Sequence, residues 1–330
     1  MSGSSRSSTD VLIAPANSYQ PASDLAVVTG YFNSHHYNSK RRAFDRFADS
    51  MERSGIPLFV GECAFGDSPF ELEKSASVFR FRTRDVLWQK ERLLNLTIDR
   101  VPDRYTKIAW IDGDILFENP RWAIDASEQL DKVAVVQLFD RAMRLRPEET
   151  AYSGGPRMRS YCFVHATLPA FSGFGDGNLH GMTGFAWAAD RQLLQTFGLY
   201  DAAIAGGADD LMAHAFSGDF SGRCLPLILT AGMVDHFRDW AERVWARVGG
   251  RLGYVRGSAL HLWHGEDQNR GYVSRFHELS ELGYEPLAHL QLDPGGLWAF
   301  TDAGTRALAE WSEGYFRGRQ EDTRAVAGGR

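Results

Sequence analysis

Trp110-Ile111-Asp112-Gly113-Asp114-Ile115 closes an apolar run that begins at Lys107, and it ends that run in two carboxylates separated by one glycine. A short apolar run of this kind reads as a buried strand. In open α/β sheets, ligands gather just beyond the carboxyl ends of such strands. Two carboxylates there repel each other unless a cation joins them. Mg²⁺ or Mn²⁺, both partial to oxygen ligands, would join them and could bridge a diphosphate. The plainer reading of the same residues is a turn with two solvated aspartates.

Outward from that stretch, residues 25–29, 57–62 and 78–82 read as strands on its N-terminal side. On the other side, 133–138, 182–188 and 254–263 read the same way. Helices fall between them. One carries Phe44, Phe47 and Met51 on one face and stops at Gly55. Another spans 85–99, with Asp85 as N-cap and Leu87, Leu94 and Ile98 facing inward. Others start at 191, 209 and 238. Strands alternating with helices predict an α/β fold with a mostly parallel sheet between helical layers. Residues 141–177, rich in Gly, Pro and Ser and bearing Arg141, Arg144, Arg146, Arg157 and Arg159, read as one long functional or mobile loop.

The 330 residues suffice for one large domain, expected over 24–317, with polar tails at 1–23 and 318–330. A net charge of −6 offers no basic field for nucleic acid or an anionic membrane. Cys63, Cys162 and Cys224 are odd in number and lack metal-type spacing, which fits a reducing compartment rather than a disulfide framework. Neither a signal peptide nor a membrane-length apolar run is legible, so a cytoplasmic protein is expected, with peripheral membrane contact left open.

Two further segments carry chemistry. Ala205-Gly206-Gly207-Ala208-Asp209-Asp210-Leu211 is a glycine turn entering a helix. Asp209 or Asp210 there could take a proton from a hydroxyl, or simply serve the helix dipole. His261-Leu262-Trp263-His264-Gly265 reads as a strand, and strand alternation puts the two histidines on opposite faces.

In this order, the strand-end acid pair, the glycine-acid turn and the late histidine resemble the GT-A family of glycosyltransferases, from about Ala26 to Arg275. The resemblance implies a GT-A, Rossmann-like domain, with a nucleotide-binding half over about 24–140 and an acceptor half over about 141–317. It implies that Asp112 and Asp114 hold Mn²⁺ (or Mg²⁺) on the diphosphate of a nucleotide-sugar donor, UDP-sugar favoured. The turn looks like the Gly-Gly-Glu-Asp segment of inverting members, which puts the base on Asp209, beside Asp210. Ala208 stands where that family has glutamate. The late histidine is similar to a third metal ligand of galactosyltransferase-like members, which favours His264 over His261. Thr29, Gly30, Tyr31 and Asn33 after the first strand, Glu62 after the second, Lys90 and Gly113 are the matching donor-site positions, and a carbohydrate or other hydroxyl is the acceptor. Residues 181–185, with their two glycines, are candidates for the sugar pocket.

Two other classes compete. Haloacid-dehalogenase-like phosphohydrolases also use Asp-x-Asp, but Leu116 stands where they place threonine or valine, and their motif follows the first strand. A non-catalytic binding protein on a GT-A scaffold is the other.

Overall fold

The computed structural model describes residues 12–167, 180–302 and 305–323. Its centre is a sheet containing β1 (Leu25–Phe32), β2 (Leu58–Phe65), β3 (Val78–Thr83), β4 (Lys107–Ile111), β6 (Val135–Gln137), β9 (Ala186–Asp190) and β10 (Leu252–Tyr254). The strand order is β10-β6-β9-β4-β1-β2-β3. All neighbours are parallel except β9, which runs antiparallel to both β4 and β6. A smaller sheet of order β5-β11-β7-β8 joins β5 (Ile115–Phe117), β7 (Arg141–Arg144), β8 (Arg157–Arg159) and β11 (Ser258–His261). A hairpin of β12 (Leu290–Leu292) and β13 (Trp298–Phe300) stands apart from both.

Strand alternation sorts the core into two layers. Leu25, Val27, Ala109 and Ile111 face one side and meet Phe44, Phe47 and Met51 of α1 (Asn38–Arg53), with Trp122, Ala123 and Ala126 of α3 (Trp122–Leu130). Ala26, Val28, Ile108 and Trp110 face the other side. They meet α2 (Lys90–Ile98), α5 (Arg191–Phe197), α6 (Ala208–Ser217) and α8 (Val234–Val248). The mixed α/β fold, with a mostly parallel sheet flanked by helices, is the one expected from the sequence.

Several expectations need correction. Residues 85–89 are not helical, and Asp85 accepts a hydrogen bond from the Phe300 N–H (2.8 Å) instead of capping α2. The stretch read as a loop from 141 contains β7, β8 and α4 (Tyr161–Thr167), because β7 pairs in parallel with β11; residues 168–179 lie outside the described residues. The strand expected over 254–263 is two strands in different sheets. Within the expected N-terminal tail, Tyr19 is 4% exposed and its hydroxyl accepts from the Phe117 N–H (3.0 Å). At the other end, α11 (Arg306–Gly318) is followed by Arg319 and Glu321, both buried, so 319–323 is packed chain rather than tail. The remaining helices are α7 (Leu225–Ile228), α9 (Ser274–Glu281) and α10 (Pro286–His289).

How α2 lies on the sheet positions the site. It crosses β1 and β2 where both strands carry glycine. A Cβ on Gly61 would stand 2.4 Å from Thr97 Oγ1 and 3.2 Å from the Leu93 carbonyl oxygen, whereas one on Gly30 would meet nothing nearer than 3.5 Å. Gly61 therefore sets the depth at which α2 seats, and with it the height of Lys90 above the strand ends. Gly61→Ala is expected to cost about 1–3 kcal/mol through overpacking. Gly30→Ala should stay within about 1 kcal/mol of the parent, since its contacts are ordinary. Urea unfolding of both variants checks this; equal losses would mean that Gly61 does not limit the approach.

Candidate active site

The carboxyl end of β4 delivers Asp112, Gly113 and Asp114 into a cleft between α2, the turn before α6, and the segment after β11. Phe185 fixes the first of these. Its φ of 83° is unusual for a side-chain-bearing residue, and its carbonyl accepts the Asp112 N–H at 2.8 Å.

Lys90, at the start of α2, is the hub. Its ammonium donates to Asp112 Oδ1 (3.1 Å) and to both oxygens of Asp209 (3.1 and 2.9 Å), and lies 3.4 Å from Glu91 Oε1. Burial alone would pull Lys90 down, but Asp112, Asp209 and Glu91 together outweigh it and hold its pKa well above the usual lysine value. One cation cannot satisfy three acids. Burial therefore lifts Asp112 to about 6 and Glu91 to about 7 despite the ammonium beside them. Trp88 Nε1–H steadies Glu91 at 3.1 Å.

Asp114 sits in a different company. His264 Nε2 lies 2.7 Å from its Oδ2 and His261 Nε2 lies 3.7 Å away. Ligand atoms from Asp114, His261 and His264 all fall within 4.8 Å of one another. The opposite-face expectation for the two histidines fails because β11 ends at His261. Beyond it the Leu262 N–H bonds the Asp114 carbonyl (2.8 Å), and the chain then turns through Gly265 at φ 98°. His261 stacks on Phe185 at 5.0 Å. His264 Nδ1 is 3.3 Å from Glu321 Oε2, and Arg319 pairs with Glu321 at 2.5 Å. A carboxylate behind an imidazole orients its other nitrogen, as second carboxylates do behind metal-bound histidines. Burial works against charge on Asp114, but His261 and His264 outweigh it and hold that carboxyl well below the usual range.

Asp209 and Asp210 open α6. Gly206 (φ 80°) and Gly207 (φ 87°) make the turn, which side-chain-bearing residues would adopt only with strain. Asp210 Oδ1 accepts from the Thr183 hydroxyl at 2.5 Å, and burial raises its pKa. Thr183 and Gly184, from the segment expected to line a sugar pocket, do line the cleft, and a Cβ on Gly184 would lie 3.4 Å from Asp209 Oδ2.

Of the residues expected at the donor site, Thr29, Gly30, Lys90, Asp112 and Gly113 line this cleft. Tyr31, Asn33 and Glu62 do not. Tyr31 and Asn33 bond Glu71, and Glu62 Oε1 accepts the N–H groups of Glu71 (2.5 Å) and Leu72 (2.9 Å). Glu62 thus holds a loop, a task that a strand-end glutamate performs without any ligand. Of the arginine-rich stretch, Arg144 alone reaches the cleft among the described residues, where it pairs with Asp267. Arg141 pairs with Asp140, while Arg157 and Arg159 lie over Tyr152 and Phe163.

Sequence reasoning missed Lys40 and Arg319 in the lining, and Glu321 behind it. Lys40 looks like one more surface cation on α1, yet its ammonium lies over Phe32 (4.4 Å) and burial pulls it down to about 8 against the Glu321 charge. With Arg144, Arg270, Arg275 and Arg319, it gives the acid-centred cleft a cationic wall. The signal for this wall is faint in the sequence, because its cations come from α1, β7, the segment after β11 and the C-terminus, which share no local pattern.

No protein-family model matches the chain, and no curated protein does. Among solved structures, the catalytic domain of Drosophila beta1,4galactosyltransferase 7 in complex with xylobiose is similar at 11% identity and a TM-score of 0.36, over 87% of this chain and 98% of that one. A structure of a mutant of the same protein in complex with manganese, UDP-Gal and xylobiose gives a TM-score of 0.33 at 11% identity, over 71% of this chain and 64% of that chain's length. Mannosyl-3-phosphoglycerate synthase from Rubrobacter xylanophilus is 13% identical at a TM-score of 0.37, over 84% and 85% of the two chains. Likeness at this level transfers no activity.

The hub has a stability consequence. Lys90→Met leaves the buried Glu91 and the partly buried Asp112 and Asp209 without their shared cation, and the expected loss is about 3 kcal/mol. Asp209→Asn removes one acid of three and should cost clearly less. Urea unfolding at neutral pH measures both, and a Lys90→Met variant as stable as the parent would contradict the hub.

Proposed function

We propose that the chain is a metal-dependent GT-A glycosyltransferase that moves a sugar from a nucleotide-diphosphate sugar, UDP-sugar favoured, to a carbohydrate or other acceptor hydroxyl with inversion. The observation that carries this reading is one cleft combining Asp112, Asp114, His264, His261, Asp209 and a cationic wall.

The donor set suits a divalent ion. Asp114 Oδ1 is a buried carboxylate oxygen with no hydrogen-bond partner among the described residues, an atom that a cation would satisfy. Asp114, His264 and His261 would hold Mn²⁺, with Asp112 beside them; the imidazoles favour Mn²⁺ over Mg²⁺. Such an ion, when bound, supplies positive charge to the departing diphosphate oxygens.

The remaining roles fall to the chain itself. Lys40, Arg144, Arg270, Arg275 and Arg319 supply the charge that draws a diphosphate into the cleft. Asp209 takes the acceptor proton on a carboxylate oxygen while the hydroxyl attacks the anomeric carbon from the face opposite the leaving group. Lys90 orients Asp209 by donating to both of its carboxylate oxygens. Asp210 positions the turn through Thr183. The pocket segment, with the side-chain-free Gly184 against Asp209, leaves room for a sugar ring.

The experiment is a thermal-shift screen of nucleoside diphosphates and their sugars, with and without Mn²⁺, on the parent, Asp114→Asn and His264→Ala. One nucleotide series should stabilise the parent in a metal-dependent way, by about 2.7 kcal/mol at a hundredfold excess over Kd. Asp114→Asn should lose the metal-dependent part, and His264→Ala should weaken it. No metal-dependent nucleotide shift in the parent, or turnover of simple phosphomonoesters instead, would refute the reading.

A further inference from the structure

A second cluster of soft ligands lies outside the cleft. Ligand atoms of His180, His214 and Cys224 all fall within 4.8 Å of one another, and none of the three residues lines the acid-centred cleft. His214 is fully buried on α6, one turn beyond Asp210. Cys224 immediately precedes α7, and its Sγ lies 2.9 Å from His214 Nε2. His180 immediately precedes the pocket segment that begins at Gly181.

The outer contacts are arranged as they are around metal-bound histidines. His180 Nδ1 is 2.6 Å from the Gly181 carbonyl, which can only accept, so that nitrogen carries the proton and Nε2 is left as the electron-pair donor. His214 Nδ1 is 3.2 Å from Asp219 Oδ2, which places a carboxylate behind that ring. The loop from Asp219 wraps the His214 ring closely: a Cβ on Gly222 would stand 2.5 Å from His214 Cε1. Tyr161 packs edge-on to His214 at 5.7 Å and at 6.0 Å from His180, and its hydroxyl is anchored on Ser217 at 2.6 Å.

We propose that His180, His214 and Cys224 form a second metal centre, selective for Zn²⁺, and supply three of its ligands. Two imidazoles and a thiolate suit Zn²⁺, with bonds of about 2.0–2.3 Å, and they exclude Mg²⁺ and Ca²⁺. Zn²⁺ binding displaces the Cys224 thiol proton to solvent, and the sulfur becomes a thiolate ligand. The competing use of these atoms is a Cys224–His214–Asp219 nucleophile. That use needs only one imidazole, whereas here ligand atoms of two imidazoles and a thiol fall within 4.8 Å of one another. The centre clamps α6 to the pocket segment, since Asp210 and Thr183 sit one step from His214 and His180 along the same two elements. It is independent of the proposed transfer reaction.

Zinc content and Zn²⁺ affinity are measured by mass spectrometry and chelator competition on the full chain in an Asp114→Asn background, which disables the cleft cluster. One Zn²⁺ per chain is expected, with affinity falling at least about 100-fold in added Cys224→Ser and about 10–100-fold in added Asp219→Asn. Co²⁺ substitution of the Asp114→Asn chain should give a thiolate-to-cobalt charge-transfer band in the near ultraviolet. This readout stands even if the Cys224→Ser chain fails to fold. Absence of that band, or equal Zn²⁺ affinity with and without Cys224, overturns the proposal. Rapid alkylation of Cys224 that added Zn²⁺ leaves unslowed would overturn it in favour of the nucleophile.

Discussion

A single buried ammonium holds the candidate site together. Lys90 meets Asp112 from the end of β4, Asp209 from the start of α6 and its own neighbour Glu91, so three elements converge on one charge. The convergence depends on backbone proximity, because α2 can seat this deeply only where β2 has no Cβ at Gly61. One cation among three acids leaves net negative charge in a closed space. Such a place is poised for more cations, and the structure supplies them as Lys40 and the arginine wall around it.

The cleft is completed from the far end of the chain. Glu321 stands behind His264, Arg319 neutralises Glu321, and Arg319 also lies over Trp88 at 5.4 Å. Asp322 accepts the Ser39 N–H at 2.7 Å and the Asn38 N–H at 2.9 Å, tying the same segment to the first turn of α1. These contacts are nearly all ionic or hydrogen-bonded, with little apolar surface. Charge placement near the proposed metal cluster therefore depends on residues that contribute little to the hydrophobic core.

That division explains what could be read in the sequence. Lys107–Ile111 is legible to the residue because a buried strand needs an unbroken apolar run, and Asp112 and Asp114 follow from where that run stops. The Gly206–Gly207 turn is legible because only glycine takes such φ values cheaply. Residues 319–323 carry no apolar period, so the burial of Arg319 and Glu321, which comes with ionic contacts to each other and to His264, leaves no local trace. β7 is similar: Arg141-Ala142-Met143-Arg144 is a strand because β11 lies beside it, a partner more than a hundred residues away. The two histidines were misjudged because alternation was carried past His261, where the ladder ends and the chain turns. Tyr31, Asn33 and Glu62 were assigned by position along strands, and they meet around Glu71, outside the acid-centred cleft.

The central claim is that the carboxyl edge of β4 and the segment after β11 together form a divalent-cation site that serves a nucleotide diphosphate. Anomalous diffraction from crystals soaked in Mn²⁺ and UDP tests it most directly. The account expects a manganese peak in contact with Asp114 and at least one of His261 and His264, with UDP phosphate oxygens beside it. A well-occupied UDP elsewhere on the molecule, or no manganese at Asp114 while UDP is bound in the cleft, would contradict it.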